Sequence, residues 1–112
     1  MFKLRKFKIA AEEIIPLLNR SMGAAYASDH ITVDGRPVGF MYREEPDNDV
    51  DSGWRFLSGD ESQDYIDNTD NLAIYDLNTI ANYDPTIIPF LDFAIGTELE
   101  RVPGTNQFRI AT

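Results

Sequence analysis

The sequence predicts a single α+β domain built on an antiparallel or mixed sheet. Three observations point there. Short runs of β-branched and aromatic residues recur along the chain, short helical patches separate them, and Asp-Gly and Pro-Gly turn signals join them as hairpins. At 112 residues, with 43% hydrophobic and 12% aromatic content, the chain suffices for one core, and 26% charged residues is the average of globular proteins. No Gly/Ser linker, repeat or break in composition divides it. Residues 1–22 read as a basic N-terminal segment packed on the domain, and residues 23–112 as the α+β domain itself.

Within the N-terminal segment, Ala10 to Leu18 has helix formers and apolar residues at helical spacing, so a short helix is expected there, bent or ended by Pro16. Ala24 to Ile31 and Val38 to Tyr42 suit strands. The Val33-Asp34-Gly35-Arg36 stretch between them supplies the Asp-Gly pair of a two-residue hairpin turn, so these strands are expected to pair antiparallel. Trp54 to Leu57 alternates as a third strand. A helix from about Asp60 to Ile66 follows, capped by Ser58 or Asp60, with Glu61 or Gln63 three residues on. Leu72 to Tyr75 reads as a strand, Asn78 to Tyr83 as a helical turn ended before Pro85, and Ile87 to Leu91 as a second apolar piece. Thr97 to Val102 and Gln107 to Ile110 flank Pro103-Gly104-Thr105-Asn106 and form a second expected hairpin. The periodic elements nominate Phe40, Tyr42 or Met41, with Trp54 or Phe56, Leu57, Ile66, Leu72, Ile74, Ile80 and Leu91, as the core.

Charge narrows the functions available. Ten bases against nineteen acids give −9 and a pI near 4.4, a field that repels phosphate backbones and anionic lipid, so neither nucleic acid nor membrane is an expected partner. The imbalance is uneven: residues 1–20 carry +3 and the remainder −12. The basic start has no signal-peptide h-region, because Glu12 and Glu13 interrupt it, and the expected location is cytoplasmic. With no cysteine and a single His30, thiolate nucleophiles, disulfides and Cys- or His-rich metal sites are excluded.

The acidic stretch Asp47-Asn48-Asp49-Val50-Asp51-Ser52-Gly53 has the alternating carboxylates of a calcium loop. It fails at the decisive positions: counted from Asp47, the sixth and twelfth hold Ser52 and Ser58 instead of Gly and Glu. Nineteen acids guarantee carboxylate pairs at hydrolase spacing by chance, so no pair is singled out, and Gly-x-Ser-x-Gly does not occur. No cofactor is implied. Between Glu44 and Asp70 lie ten acids and one base, Arg55. Aromatics beside aligned carboxylates suit a surface that steers and anchors a basic protein partner. The expected binding residues are Asp47, Asp49, Asp51, Trp54, Asp60, Glu61 and Asp64, forming one exposed negative surface, although Trp54 also suits the centre of its strand.

Three segments in order carry a resemblance: Val38-Gly39-Phe40-Met41-Tyr42-Arg43-Glu44, Asp51-Ser52-Gly53-Trp54-Arg55-Phe56-Leu57-Ser58-Gly59-Asp60-Glu61, and Tyr75-Asp76-Leu77-Asn78-Thr79-Ile80-Ala81-Asn82-Tyr83-Asp84-Pro85. Over roughly Gly23 to Arg101 the chain resembles the bacterial immunity protein 33 family of polymorphic toxin systems. The resemblance implies a non-catalytic protein that binds and neutralises a cognate toxin domain. The alternatives are a housekeeping or regulatory module using the same surface for another protein or a small ligand, and an enzyme working through convergent carboxylates.

Overall fold

The computed structural model describes residues 4–111. Six strands, β1 (Ala24–Ser28), β2 (Phe40–Arg43), β3 (Asp51–Leu57), β4 (Leu72–Asp76), β5 (Glu98–Arg101) and β6 (Phe108–Ile110), form one mixed sheet in the order β4-β1-β3-β2-β5-β6. The helices are α1 (Asp29–Thr32), α2 (Gln63–Asp67) and α3 (Leu77–Tyr83), with 3-10 turns at Ala11–Glu13, Thr69–Asn71 and Pro85–Phe90. The α+β expectation holds.

The first hairpin does not form. β1 pairs parallel with β3 and antiparallel with β4, and β3 separates it from β2. The residues read as the end of the first strand coil instead into α1, which buries Ile31 and Thr32. Asp34-Gly35 serves that helix: Gly35 has φ +76° and its N–H donates to the Ile31 carbonyl at 3.1 Å. A glycine in the left-handed region suits a helix terminus as well as a hairpin turn, which is why the dipeptide misled. β2 turns back on β3 instead, through residues 44–50. Gly53 makes this return possible, since a Cβ there would lie 2.2 Å from the Glu44 carbonyl oxygen and φ is +88°. The second hairpin stands as expected, with β5 antiparallel to β6.

Two helices also shift. The expected Ala10–Leu18 helix shrinks to the 3-10 turn at Ala11–Glu13, because Pro16 has no N–H and side chains of α3 take over the backbone groups around it. Asn82 accepts from the Ile15 N–H (3.1 Å) and donates to its carbonyl (2.8 Å), while Asn78 accepts from Leu17 (2.8 Å) and Leu18 (3.1 Å). Arg5 anchors the start of this arm on Asp29 at 2.8 Å and on the Leu72 carbonyl at 3.2 Å. α2 starts at Gln63, capped by Ser62, which accepts from Tyr65 N–H at 3.1 Å. The expected caps, Ser58 and Asp60, lie ahead of the helix, where the Ser58 hydroxyl accepts from Asp60 N–H at 3.2 Å and Glu61 accepts from Ser58 N–H at 2.8 Å.

Strand alternation sorts the apolar residues onto two faces. Met41, Trp54, Phe56, Ala25, Ala27 and Leu99 point to the core, where they meet Leu77, Ile80, Ile87 and Leu91. Trp54 is wholly buried and its Nε1–H donates to the Leu91 carbonyl at 3.0 Å. Buried Asp84 ties the far end of this layer together, accepting from Val38 N–H at 2.9 Å and pairing with Arg101. Of the nominated core, Phe40, Tyr42, Leu57, Ile66 and Leu72 are only half-buried, and Ile74 is exposed. Where register places them, these residues belong to the opposite face.

Candidate partner-binding face

That opposite face is built one residue at a time by the period of two. Tyr26 pairs with Arg55 across β1 and β3, Tyr42 pairs with Arg55 across β2 and β3, and Phe40 pairs with Leu57. Ile74 and Leu72 continue the row on β4, opposite Tyr26 and Ser28. Glu98 and Glu100 extend it on β5, opposite Tyr42 and Phe40. α2 reaches over one end of this face, bringing Ile66, and the 3-10 turn at Thr69–Asn71 brings Thr69. Between α2 and the strands lies a groove of about 370 Å³, lined chiefly by Tyr26, Tyr42, Leu57, Ile66 and Leu72, with Glu44, Asp47 and Arg55 at one end.

Arg55 organises the charged end. Its side chain is 5% exposed and donates to both carboxylate oxygens of Asp51 at 2.9 and 2.8 Å and to Glu44 at 2.6 Å. Its guanidinium carbon stands 4.5 Å over the Tyr26 ring. Asp51 is held well below the usual carboxylate range, first by the bonds from Arg55 and further by the backbone N–H groups of Asp47 and Gly53. Burial alone would lower the Arg55 value, but Asp51 and Glu44 outweigh it and raise it. Both tyrosines are pushed up, by burial first and then by Asp47 for Tyr26 and Glu44 for Tyr42, so each keeps its hydroxyl proton at neutral pH. Tyr26 donates to Asp47 at 3.3 Å.

The residues nominated from the sequence divide. Asp47, Asp49, Asp60 and Asp64 are exposed. Trp54, by contrast, lies in the core, and the Asp51 and Glu61 side chains are 8% and 1% exposed, so these three offer little side-chain surface. The exposed acids do not form one patch either. Asp47 and Asp49 lie in the β2–β3 loop, whereas Asp60 and Asp64 follow the other end of β3, a strand of seven residues spanning roughly 20 Å. Tyr26, which the sequence reading passed over, and Tyr42, Leu57, Ile66 and Leu72, which it assigned to the core, line the groove. The available signal was alternation in Phe40-Met41-Tyr42, which puts the two rings on the face away from Met41.

A second polar cluster joins α1 to the β3–α2 corner. His30 Nδ1 lies 3.0 Å from Ser58 Oγ and 3.4 Å from Glu61 Oε2, and Glu61 accepts from Ser58 N–H and Gly59 N–H at 2.8 and 2.9 Å. Burial favours protonation of Glu61, but these bonds with that from Ser28 prevail and hold its carboxyl below the usual range. Serine and carboxylate meet the same ring nitrogen, whereas a nucleophilic relay needs them on opposite ones. This cluster clamps the corner. Among the described residues no group of three or more His, Cys, Asp or Glu could hold a metal ion, and no helix is long and apolar enough to cross a membrane.

No curated protein and no solved structure matches the chain. A family model, described as the Immunity protein Imm33 domain, matches residues 25–111. The match runs from within β1 to just past β6, taking in the groove, the acidic loop and the core, and leaving the N-terminal arm outside. The chain therefore belongs to the Imm33 immunity protein family.

Proposed function

We propose that this protein neutralises a bacterial toxin domain by binding it in the cytoplasm, without catalysis, and that the open face of the sheet makes the contact. The observation that carries this reading is the uncovered face itself. Half-buried Tyr26, Tyr42, Phe40, Leu57 and Leu72 sit side by side, rimmed by Glu44, Asp47, Glu98 and Glu100. Aromatic anchors inside a polar rim are the anatomy of a protein interface. The net charge of −9 supports a basic target, whose approach it accelerates. Asp49, Asp60 and Asp64 contribute long-range steering in this reading, and Asp47 contributes direct contact.

Co-expression tests it. Toxin domains encoded in the same genomic neighbourhood are expressed with this protein, and growth rescue and co-purification are scored. The reading expects one of them to be neutralised by wild type and not by Tyr42→Ala/Leu57→Lys, with that variant still folded. Rescue equal in both would remove the open face from the account, and rescue from none would remove the toxin-binding reading.

A further inference from the structure

The groove on the open face has two unlike ends, and the strand register orders them. At the level of Leu57 stand Phe40, Leu72 and, from α2, Ile66; at the level of Arg55 stand Tyr26 and Tyr42; beyond them lie Glu44 and Asp47. Residues 44–51 carry five carboxylates against the one guanidinium of Arg55. That guanidinium is already held by Asp51, Glu44 and the Tyr26 ring, so it has little left to offer an anion. The side chains of Glu44 and Asp47, by contrast, are 52% and 60% exposed. Each keeps acceptor capacity facing outward.

We infer that this groove receives a basic side chain of the partner polypeptide together with an apolar neighbour in the same segment. The cationic head of a Lys or Arg meets Glu44 and Asp47, its stem lies against Tyr42, and the apolar neighbour fills the space between Leu57, Ile66 and Leu72. This rests on the proposed protein-binding role of the face and names the chemistry of its anchor. A volume of about 370 Å³ matches one or two side chains. An acidic segment would set like charges against each other, and a wholly apolar one would desolvate Glu44 without a partner. The Tyr42 ring offers an apolar face to that aliphatic stem while the charged head stays at the acidic end.

The test titrates the isotope-labelled protein with N-acetyl-Leu-Arg-amide, N-acetyl-Leu-Gln-amide and N-acetyl-Leu-Glu-amide and follows amide resonances. The Arg peptide is expected to shift Tyr42, Leu57, Ile66 and Thr69 saturably, to bind at least about tenfold more tightly than the Gln peptide, and to weaken as salt is raised to physiological strength. The Glu peptide is expected to leave these resonances in place. In Glu44→Gln/Asp47→Asn, checked for folding by its melt, the preference for Arg should disappear. Equal shifts from all three peptides, shifts confined to other surfaces, or no shifts would overturn the inference. Rescue from a toxin with no peptide preference would remove this anchor and leave the proposed function; peptide preference without rescue from any toxin would do the reverse.

Discussion

Arg55→Met removes the cation at the centre of the open face while keeping an unbranched side chain over the Tyr26 ring. Asp51, 8% exposed, then has no counter-charge and still faces Glu44 and Asp47. At 2.8 Å, with an effective dielectric constant of about 20, the attraction lost is roughly 6 kcal/mol. Relief of Arg55 desolvation offsets part of it, so the net cost falls to about 3–5 kcal/mol, the usual result of breaking a buried pair from one side. Lost guanidinium–ring contact adds up to about 1 kcal/mol. For a domain stable by about 5–15 kcal/mol this is a large fraction, read as a fall in Tm beyond about 10 °C. The pH dependence has a definite sign. In wild type the Asp51 value is depressed, so its contribution is full above the ordinary carboxylate range and lost as pH falls through the folded value. In Arg55→Met the same buried carboxyl sits among acids and its value rises, so the penalty is present at neutral pH and fades as acid protonates it. Chemical denaturation across a pH series should therefore show the two stabilities converging on acidification. Asp51→Asn in the Arg55→Met background should recover part of the loss at neutral pH. A deficit below about 1 kcal/mol, or one independent of pH, would refute the assignment of Asp51 and Arg55 as a buried coupled pair.

Further outcomes follow from the same geometry. Asp84→Ala leaves Arg101 and the Val38 N–H without their buried acceptor and should cost about 3–5 kcal/mol in denaturant titrations, with the groove residues unmoved by NMR. Asn78→Ala/Asn82→Ala releases the arm at Ile15, Leu17 and Leu18, so proteolysis and amide exchange should rise across residues 9–18 while the sheet stays protected. Glu61→Gln removes a carboxyl whose folded value is depressed; its stabilisation exists above the ordinary range and is lost as pH falls through the folded value. The variant should be less stable at neutral pH and lose less between about pH 5 and pH 3.

Local rules recovered what local rules determine. β4, α3 and the β5–β6 hairpin stand where apolar period, capping residues and Pro103-Gly104 place them, because their signals lie within each element. The β1–β2 pairing was not local: β3, buried on both faces, took the centre of the sheet, and nothing in Asp34-Gly35 could reveal a competitor that begins only at Asp51. The site was partly legible for the same reason. Acid density marked the loop that carries Asp47 and Asp49, but which acids are exposed depends on partners distant in sequence. Arg55 withdraws Asp51, and Ser28 with His30 withdraws Glu61. Trp54 shows the limit of reading aromatics as interface anchors, since one residue of register decides whether its ring faces the core or the groove.

The central claim is that the partner meets the open face of the sheet. Hydrogen–deuterium exchange of this protein, free and bound to the toxin domain it neutralises, tests that most directly. The account predicts new protection over Tyr42–Asp47 and residues 63–72, with the N-terminal arm and α3 unchanged. Protection concentrated on α3 and the arm, with the groove still exchanging at its free rate, would contradict it.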